Sequence, residues 1–185
     1  KRGYKITASD ISRDMLSIAS EKLDNTELIC SDMSKLALSK KYDAFLCMID
    51  GLNYVITPKA VLGTFIDVKK RLNDGGVFVF DVSSRYKLKH ILGNETFIHS
   101  EYDVFYSWQN RFMRKHNLSD MLLNFFVRNG DAYDRFEERH LQRGWSEKEL
   151  IAMLKKAGFT EVSVYDEQKF IAPNPESARL VFVCK

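Results

Sequence analysis

The stretch "KITASDIS", residues 5–12, joins the first predicted strand of the chain to the helix that follows it. Residues 6–9 form a short apolar run, and Ser12 can cap a helix whose apolar residues recur at helical spacing. Asp10 lies between the two elements, so a carboxylate is expected at the tip of the strand. The rest of the chain shows whether this arrangement repeats.

The first half of the chain repeats the order of strand and helix. Further strands are predicted at residues 26–32, 43–49 and 77–82, where short apolar runs are bounded by polar or turn-forming residues. This alternation indicates an α/β fold with helices on both faces of an open, mostly parallel, doubly wound sheet. The unbroken apolar run at residues 43–49 is typical of a strand covered on both faces. A helix is predicted after Pro58, with Gly75 and Gly76 as its end.

Aspartates lie at or just beyond the ends of four predicted strands: Asp10, Asp32, Asp50 and Asp81. In open parallel sheets, ligands bind beyond the carboxyl ends of the strands. Helix capping explains one aspartate at such a position, whereas four in succession predict a polar rim along one edge of the sheet.

The second half begins with an antiparallel pattern at about residues 84–145, which predicts a β insertion. Asn129-Gly130 is a strong signal for a hairpin turn, and a two-residue turn there places Leu123 opposite Phe136. The predicted register puts six residues on one face: Leu123, Phe125, Val127, Phe136, Glu138 and His140. A helix from about Ser146 and two final strands complete what we interpret as a single domain, residues 1–185.

The composition argues against several classes of function. The chain has 185 residues, 45% of them hydrophobic, and a net charge of +3 from mixed charges, so a nucleic-acid partner is not expected. No apolar stretch is long enough to span a membrane, so no membrane partner is expected. Three cysteines in separate apolar runs indicate free thiols and a cytoplasmic location. The four histidines lack the spacing of metal ligands, so no metal is predicted.

In their order along the chain, these segments resemble the class I S-adenosylmethionine-dependent methyltransferases, specifically the small bacterial type with a β insertion after the fifth strand. The resemblance rests on six motifs: "ASDISRDMLSIASEKL", "ICSDMSKL", "KYDAFLCMIDGLNYV", "LNDGGVFVFDV", "AGFTEVSVYD" and "RLVFVCK". Each motif alone is weak, but their order and spacing together are specific. The resemblance implies a Rossmann-like sheet whose last strand is antiparallel, S-adenosylmethionine as the cofactor, and a small molecule as the methyl acceptor.

The resemblance also implies cofactor-binding residues after the first two strands. Asp10 would accept hydrogen bonds from the ribose hydroxyls, since a carboxylate offers two oxygens to a diol, and Ile11 would pack on the adenine. Asp32 would lie near the adenine amino group, with Met33 beside it. The alternatives are helix or loop capping for the aspartates and core packing for Ile11.

Further candidates follow the strand predicted at residues 43–49. The resemblance places Met48 and Asp50 against the cofactor, near the point of methyl transfer. Asn53 would bind the substrate, and Tyr54 would orient it as a catalytic residue. Core packing for Met48 and turn chemistry around Gly51 for the polar residues are the alternatives.

Two candidates lie at the end of the insertion. His140 shares the predicted hairpin face with Glu138, and it becomes a candidate general base if that face covers the pocket. Arg143 would bind a carboxylate or phosphate of the substrate. The alternatives are a structural role for His140 and a surface ion pair for Arg143.

One part of the family pattern is not found in this sequence, namely the first strand and its glycine-rich loop. We therefore expect an N-terminal part of the native domain to precede Lys1. Two other functions remain open on the sequence alone. An NAD-binding oxidoreductase also uses an acid after its second strand, and a methyltransferase-like scaffold without the glycine loop need not be catalytic.

Overall fold

The computed structural model describes residues 3–167 and 170–185. The sequence predicts a further segment before Lys1, and Lys1 lies outside the described residues. The strands of the described ranges are β1 (Thr7–Asp10), β2 (Glu27–Cys30), β3 (Tyr42–Cys47), β4 (Leu72–Ser83), β5 (Thr96–Glu101), β6 (Val104–Met113), β7 (Leu118–Asn129), β8 (Ala132–Arg143), β9 (Val162–Asp166) and β10 (Arg179–Cys184). The α-helices are α1 (Arg13–Lys22), α2 (Pro58–Arg71) and α3 (Glu147–Lys156). Short helical turns lie at Met33–Lys35, Gly51–Tyr54 and Lys87–Ile91. The mixed α/β fold predicted from the sequence is confirmed.

The strands form three sheets. The central sheet has the order β3-β4-β10-β9, in which β3 and β4 are parallel and β10 is antiparallel to both of its neighbours. The antiparallel last strand is therefore confirmed. β1 and β2 form a separate parallel pair, and β5 to β8 form an antiparallel meander. In the part of the chain that the structure describes, β1 and β3 are not hydrogen-bonded to each other, and each has an open edge.

Side chains that cap helices lie where the sequence places them. The Ser12 hydroxyl accepts a hydrogen bond from the backbone N–H of Met15 at 3.2 Å and begins α1. Ser146 and Glu149 form a capping box at the start of α3, each accepting a backbone N–H of the other. These bonds satisfy donors that the first turn of a helix leaves free.

The end of α2 differs from the prediction. The helix ends at Arg71, where the guanidinium donates to the carbonyls of Leu36 and Leu38 at 3.2 and 2.9 Å, and β4 begins directly at Leu72. Gly75 has a φ of 75° and lies within β4, where the pairing with β3 shifts register. The expectation that the glycines end the helix is wrong, because they allow an irregularity in the following strand.

β3 is not covered on both faces as the sequence predicted. Phe45 and Cys47 pack against the main core, but Leu46 points to the opposite face and is 71% exposed. The strand therefore has the alternating burial of an element with one covered face.

The hairpin of β7 and β8 has a different register from the predicted one. Its turn is Gly130-Asp131, Asn129 pairs with Ala132, and Leu123 lies opposite Glu138. Gly130 adopts a φ of 62°, which suits a residue without a Cβ atom. The shift amounts to two residues, and side chains alternate with a period of two, so the six predicted residues still share one face.

Two clusters form the hydrophobic core. The larger one lies between the central sheet and α2 and α3, and the rings of Phe80 and Phe182 stack in it at 4.7 Å. The smaller one lies under the insertion and consists of Leu88, Leu92, Phe112 and Met121. Among the residues described, no helix has the length and apolar character required to cross a membrane.

Candidate active site

A pocket of about 390 Å³ lies where the carboxyl end of β4 and the loop after β3 meet one face of the insertion. Its polar lining consists of Asp50, Tyr54, Ser83, Lys87, His140 and Gln142. Its apolar lining consists of Leu92, Tyr106, Trp108, Met121, Leu123 and Phe125. An apolar cavity with a few converging polar groups is typical of a small-molecule site. No three His, Cys, Asp or Glu side chains of the described ranges could together hold a metal ion.

Three side chains form a hydrogen-bonded chain at this pocket. The Tyr54 hydroxyl lies 3.1 Å from Nδ1 of His140, and Nε2 of His140 lies 3.1 Å from a carboxylate oxygen of Glu138. An ionised carboxylate only accepts hydrogen bonds, so Nε2 of His140 donates to Glu138. In a neutral imidazole this leaves Nδ1 as the acceptor, and the Tyr54 hydroxyl donates to it. The structure thus brings together the two residues that the sequence analysis named as catalytic.

Asp50 lines the same pocket as Tyr54 and His140, but its hydrogen bonds are made within the protein. Its backbone has a φ of 50°, and its N–H donates to a carboxylate oxygen of Asp81 at 2.6 Å. One carboxylate oxygen of Asp50 accepts from Arg179 at 2.9 Å and the other from Gln142 at 3.0 Å. Arg179 also forms an ion pair with Asp81 at 2.9 Å. Asp50 therefore ties the loop after β3 to β4, β8 and β10, and both of its oxygens accept hydrogen bonds within the protein. Its contact with the cofactor stays a prediction.

Asn53 and Arg143, the expected substrate-binding residues, also have structural contacts. Asn53 is fully buried, donates to the carbonyls of Ser83 and Arg143 at 2.9 and 2.8 Å, and accepts from the Ser83 N–H at 2.9 Å. The Arg143 guanidinium lies 4.1 Å from the ring centre of Trp145 and donates to the carbonyl of Ile56 at 3.1 Å. Neither side chain lines the pocket, and the substrate-binding role of both stays a prediction.

The two candidate aspartates of the first two strands lie at one edge of their sheet. β1 and β2 pair so that Asp10 is opposite Cys30, and the Ser31 N–H donates to the Asp10 carbonyl at 2.9 Å. One oxygen of the Asp10 carboxylate accepts from the Ser12 N–H at 2.8 Å. Asp32 likewise accepts from a backbone N–H two residues on, at 2.7 Å. In the described part of the chain, the second oxygen of each carboxylate accepts no hydrogen bond, so both can bind a ligand donor.

The three apolar candidates for the cofactor site differ in exposure. Ile11 is 70% exposed and Met48 is 45% exposed, whereas Met33 is half-buried and packs against the main core. A Cβ atom added to Gly51 would lie 3.5 Å from the terminal methyl of Met33, so the turn after β2 lies against the loop after β3. Exposed apolar side chains beside free carboxylate oxygens suit a nucleoside, which has a flat base and a diol. The residues present fit S-adenosylmethionine in this respect.

Lys87 is a charged pocket residue that the sequence did not predict. It lies four residues beyond the end of β4, and its ammonium donates to the Ser83 hydroxyl at 3.3 Å. Burial lowers the pKa of Lys87 below its ordinary value of 10.5, and the positive charge of Arg179 acts in the same direction. Its position just beyond the carboxyl end of a buried strand was the available signal.

Comparisons with known proteins identify the family to which this chain belongs. A family described as "Methyltransferase domain" matches residues 1–76. YqeM of Bacillus subtilis (strain 168), named as a methyltransferase, is 35% identical over an alignment of 187 positions that covers 98% of this chain and 75% of YqeM. This chain belongs to the class I S-adenosylmethionine-dependent methyltransferases. S-adenosylmethionine is its cofactor, as the resemblance of the sequence implied.

Solved structures of methyltransferases share the fold. An S-adenosylmethionine-dependent methyltransferase from Clostridium acetobutylicum ATCC 824 is 33% identical, with a TM-score of 0.90 over 98% of this chain and 75% of its own. CalS10 of Micromonospora echinaspora, an amino pentose methyltransferase solved with S-adenosylmethionine, has a TM-score of 0.72 at 18% identity, over 97% of this chain and 73% of CalS10. The family membership favours methyl transfer over the dinucleotide oxidoreductase that the sequence alone left open.

Proposed function

We propose that this methyltransferase methylates a small molecule whose nucleophilic atom loses a proton to Tyr54, backed by His140 and Glu138. The observation that carries the proposal is the hydrogen-bonded chain of these three side chains at the pocket. The cofactor supplies a methyl group that is already electrophilic, because it is bound to a sulfonium sulfur. The protein therefore has to orient the nucleophile, exclude water and remove a proton.

The proton path follows from the direction of the hydrogen bonds. As the nucleophile of the acceptor gives its proton to the Tyr54 oxygen, Tyr54 passes its own proton to Nδ1 of His140. The Glu138 carboxylate then stabilises the imidazolium and keeps the ring oriented. This path serves a hydroxyl group or a protonated amine, both of which must lose a proton before or during methyl transfer.

The cofactor side is assigned to the rim at β1, β2 and β3. The free oxygen of Asp10 would accept from the ribose hydroxyls, and that of Asp32 from the adenine amino group. Ile11, Met33 and Met48 would pack on the apolar parts of the cofactor. Support comes from the exposure of Ile11 and Met48 and from the free carboxylate oxygens of Asp10 and Asp32.

We also propose that the three sheets belong to a single methyltransferase domain in which a further strand, with a glycine-rich loop, lies between β1 and β3. The open edges of β1 and β3 support this arrangement, because the unpaired backbone groups of an open edge can pair with a further strand. The free state of all three cysteines supports the cytoplasmic location expected from the sequence.

The cofactor site is tested by calorimetric titration of S-adenosylmethionine into the full-length protein. Asp10→Ala should weaken binding at least about tenfold, the loss of roughly 1.4 kcal/mol expected for charge-assisted hydrogen bonds. Asp14→Ala is the matched control, because Asp14 is exposed in α1 and its side chain forms no hydrogen bond to other described residues. Unchanged affinity of Asp10→Ala would remove Asp10 from the site.

The reaction is tested with S-adenosylmethionine that carries a deuterated methyl group. The protein is incubated with the small-molecule fraction of a bacterial extract, and mass spectrometry detects labelled products. A labelled small molecule that is absent with Tyr54→Phe supports the proposal. Cofactor binding without any labelled product would instead support the non-catalytic scaffold.

A further inference from the structure

We propose that Lys87 anchors a carboxylate group of the methyl acceptor and so determines the chemical class of the substrate. This inference rests on the proposed function, because it describes the acceptor that would occupy the same pocket. Lys87 and the Tyr54 hydroxyl both line that pocket. An acceptor that binds to both would present its nucleophile to Tyr54.

The Lys87 ammonium has unused hydrogen-bonding capacity. It carries three donors, of which one donates to the Ser83 hydroxyl at 3.3 Å. Within the residues described, no carboxylate oxygen lies within the 4.0 Å of an ion pair with Lys87. A partly buried cation without a counter-ion is unfavourable, so an incoming anion would gain more here than at the exposed surface.

Two of the nearby carboxylates are engaged by other groups. Asp50 accepts from Arg179 and Gln142, whereas Asp81 accepts from the Asp50 N–H and forms an ion pair with Arg179. Asp50, Asp81 and Glu167 act against the effect of burial on Lys87 and favour its charged form, although none of them forms an ion pair with the ammonium. The nearby negative charges therefore stabilise the Lys87 ammonium without forming an ion pair with it, and its two free N–H donors remain available to a ligand.

The remainder of the pocket indicates the body of the acceptor. The rings of Tyr106 and Phe125 lie 5.4 Å apart across β6 and β7, with Trp108 and Leu123 as the next pair on the same face. The indole N–H of Trp108 is buried and has no hydrogen-bond partner among the described residues. Aromatic surfaces favour a flat ligand, and the free N–H is a further donor for a ligand oxygen. The structure thus favours an aromatic carboxylic acid with a hydroxyl or amino group.

The test compares acids with their neutral amides. Calorimetry on full-length protein saturated with S-adenosylhomocysteine measures binding of 4-hydroxybenzoate, 4-aminobenzoate and 3-(4-hydroxyphenyl)propionate, each beside its primary amide. At least one acid should bind about tenfold or more tightly than its amide. Lys87→Met should reduce that preference below about threefold, whereas Lys87→Arg should retain it. Lys89→Met, on the same short turn but exposed, should behave as the wild type.

The outcomes separate this inference from the proposed function. Equal affinities for acids and amides, no binding of any acid below about 10 mM, or a preference that survives in Lys87→Met would each overturn the role of Lys87. Affinity for S-adenosylhomocysteine should be the same in all variants. A wild-type protein that does not bind S-adenosylhomocysteine would overturn the proposed function itself, and with it this inference.

Discussion

Replacing Arg179 by methionine tests the charge cluster that holds the loop after β3. Arg179 bonds Asp50 and Asp81 at 2.9 Å each, and Asp81 is only 4% exposed. Removal of one partner of a buried ion pair costs about 3–5 kcal/mol, because the other charge stays buried. In the variant, Asp81 still accepts a hydrogen bond from the Asp50 N–H, and Asp50 still accepts one from Gln142. We therefore expect a loss of about 3 kcal/mol in the free energy of unfolding, the lower end of that range.

The assay is urea denaturation followed by tryptophan fluorescence, since Trp145 is 1% exposed and reports on the main core. Adding Asp81→Asn to Arg179→Met removes the uncompensated charge and should recover about half of the lost free energy of unfolding. Arg114→Met, at an exposed turn position, is the control and should change the free energy of unfolding by less than about 0.5 kcal/mol.

Two results would refute this reasoning. A loss below about 1 kcal/mol in Arg179→Met would mean that the cluster is hydrated and of little energetic importance. The absence of any recovery on adding Asp81→Asn would mean that the destabilisation has another origin than the uncompensated carboxylate.

Two further predictions concern groups outside the pocket. Cys30 is exposed near the Ile11 carbonyl, whereas burial raises the pKa of Cys47 to about 11 and that of Cys184 to about 12. A disulfide reagent should therefore modify only the Cys30 thiol rapidly in the native protein. S-adenosylhomocysteine should slow that reaction, and an unchanged rate would place the adenine elsewhere. Asp120→Asn should lower the free energy of unfolding by about 1 kcal/mol at neutral pH, because hydrogen bonds from Arg139 lower the pKa of Asp120 below 3.8. A carboxyl group whose pKa is lower in the folded than in the unfolded protein stabilises the fold at pH values above its unfolded pKa. The difference in the free energy of unfolding between Asp120→Asn and wild type should therefore fade as the pH falls below 3.8. A difference that stays constant with pH in urea titrations would contradict this.

The features that the sequence predicted well depend on local periodicity. Asp10 and Asp32 follow short apolar runs, and such runs end at the carboxyl edge of a parallel sheet. Glu138 and His140 could be assigned to one face because alternate residues of a strand share a face, even when the predicted strand pairing is shifted by two residues. The pairing of His140 with Tyr54 needed one further assumption, that this face covers the pocket.

The features that the sequence did not predict depend on contacts between distant segments. Asp50 and Arg179 are 129 positions apart, and nothing in either local sequence indicates that one guanidinium bridges two aspartates. The resemblance gave Asn53 a role in substrate binding, and only the fold shows that its amide also satisfies buried backbone groups of two other segments. Lys87 lies in no motif of the sequence, and only the fold shows that it lines a pocket.

The most direct test of the catalytic proposal is the methyl-transfer rate of Tyr54→Phe, His140→Asn and the double variant, measured with the acceptor found by labelling. We predict that each single change lowers kcat about 100-fold, with KM for S-adenosylmethionine unchanged. The double variant should be no more than about threefold slower than the slower single variant, because both changes remove the same proton path. A Tyr54→Phe enzyme with more than about half of the wild-type kcat, or effects that multiply in the double variant, would contradict the proposal.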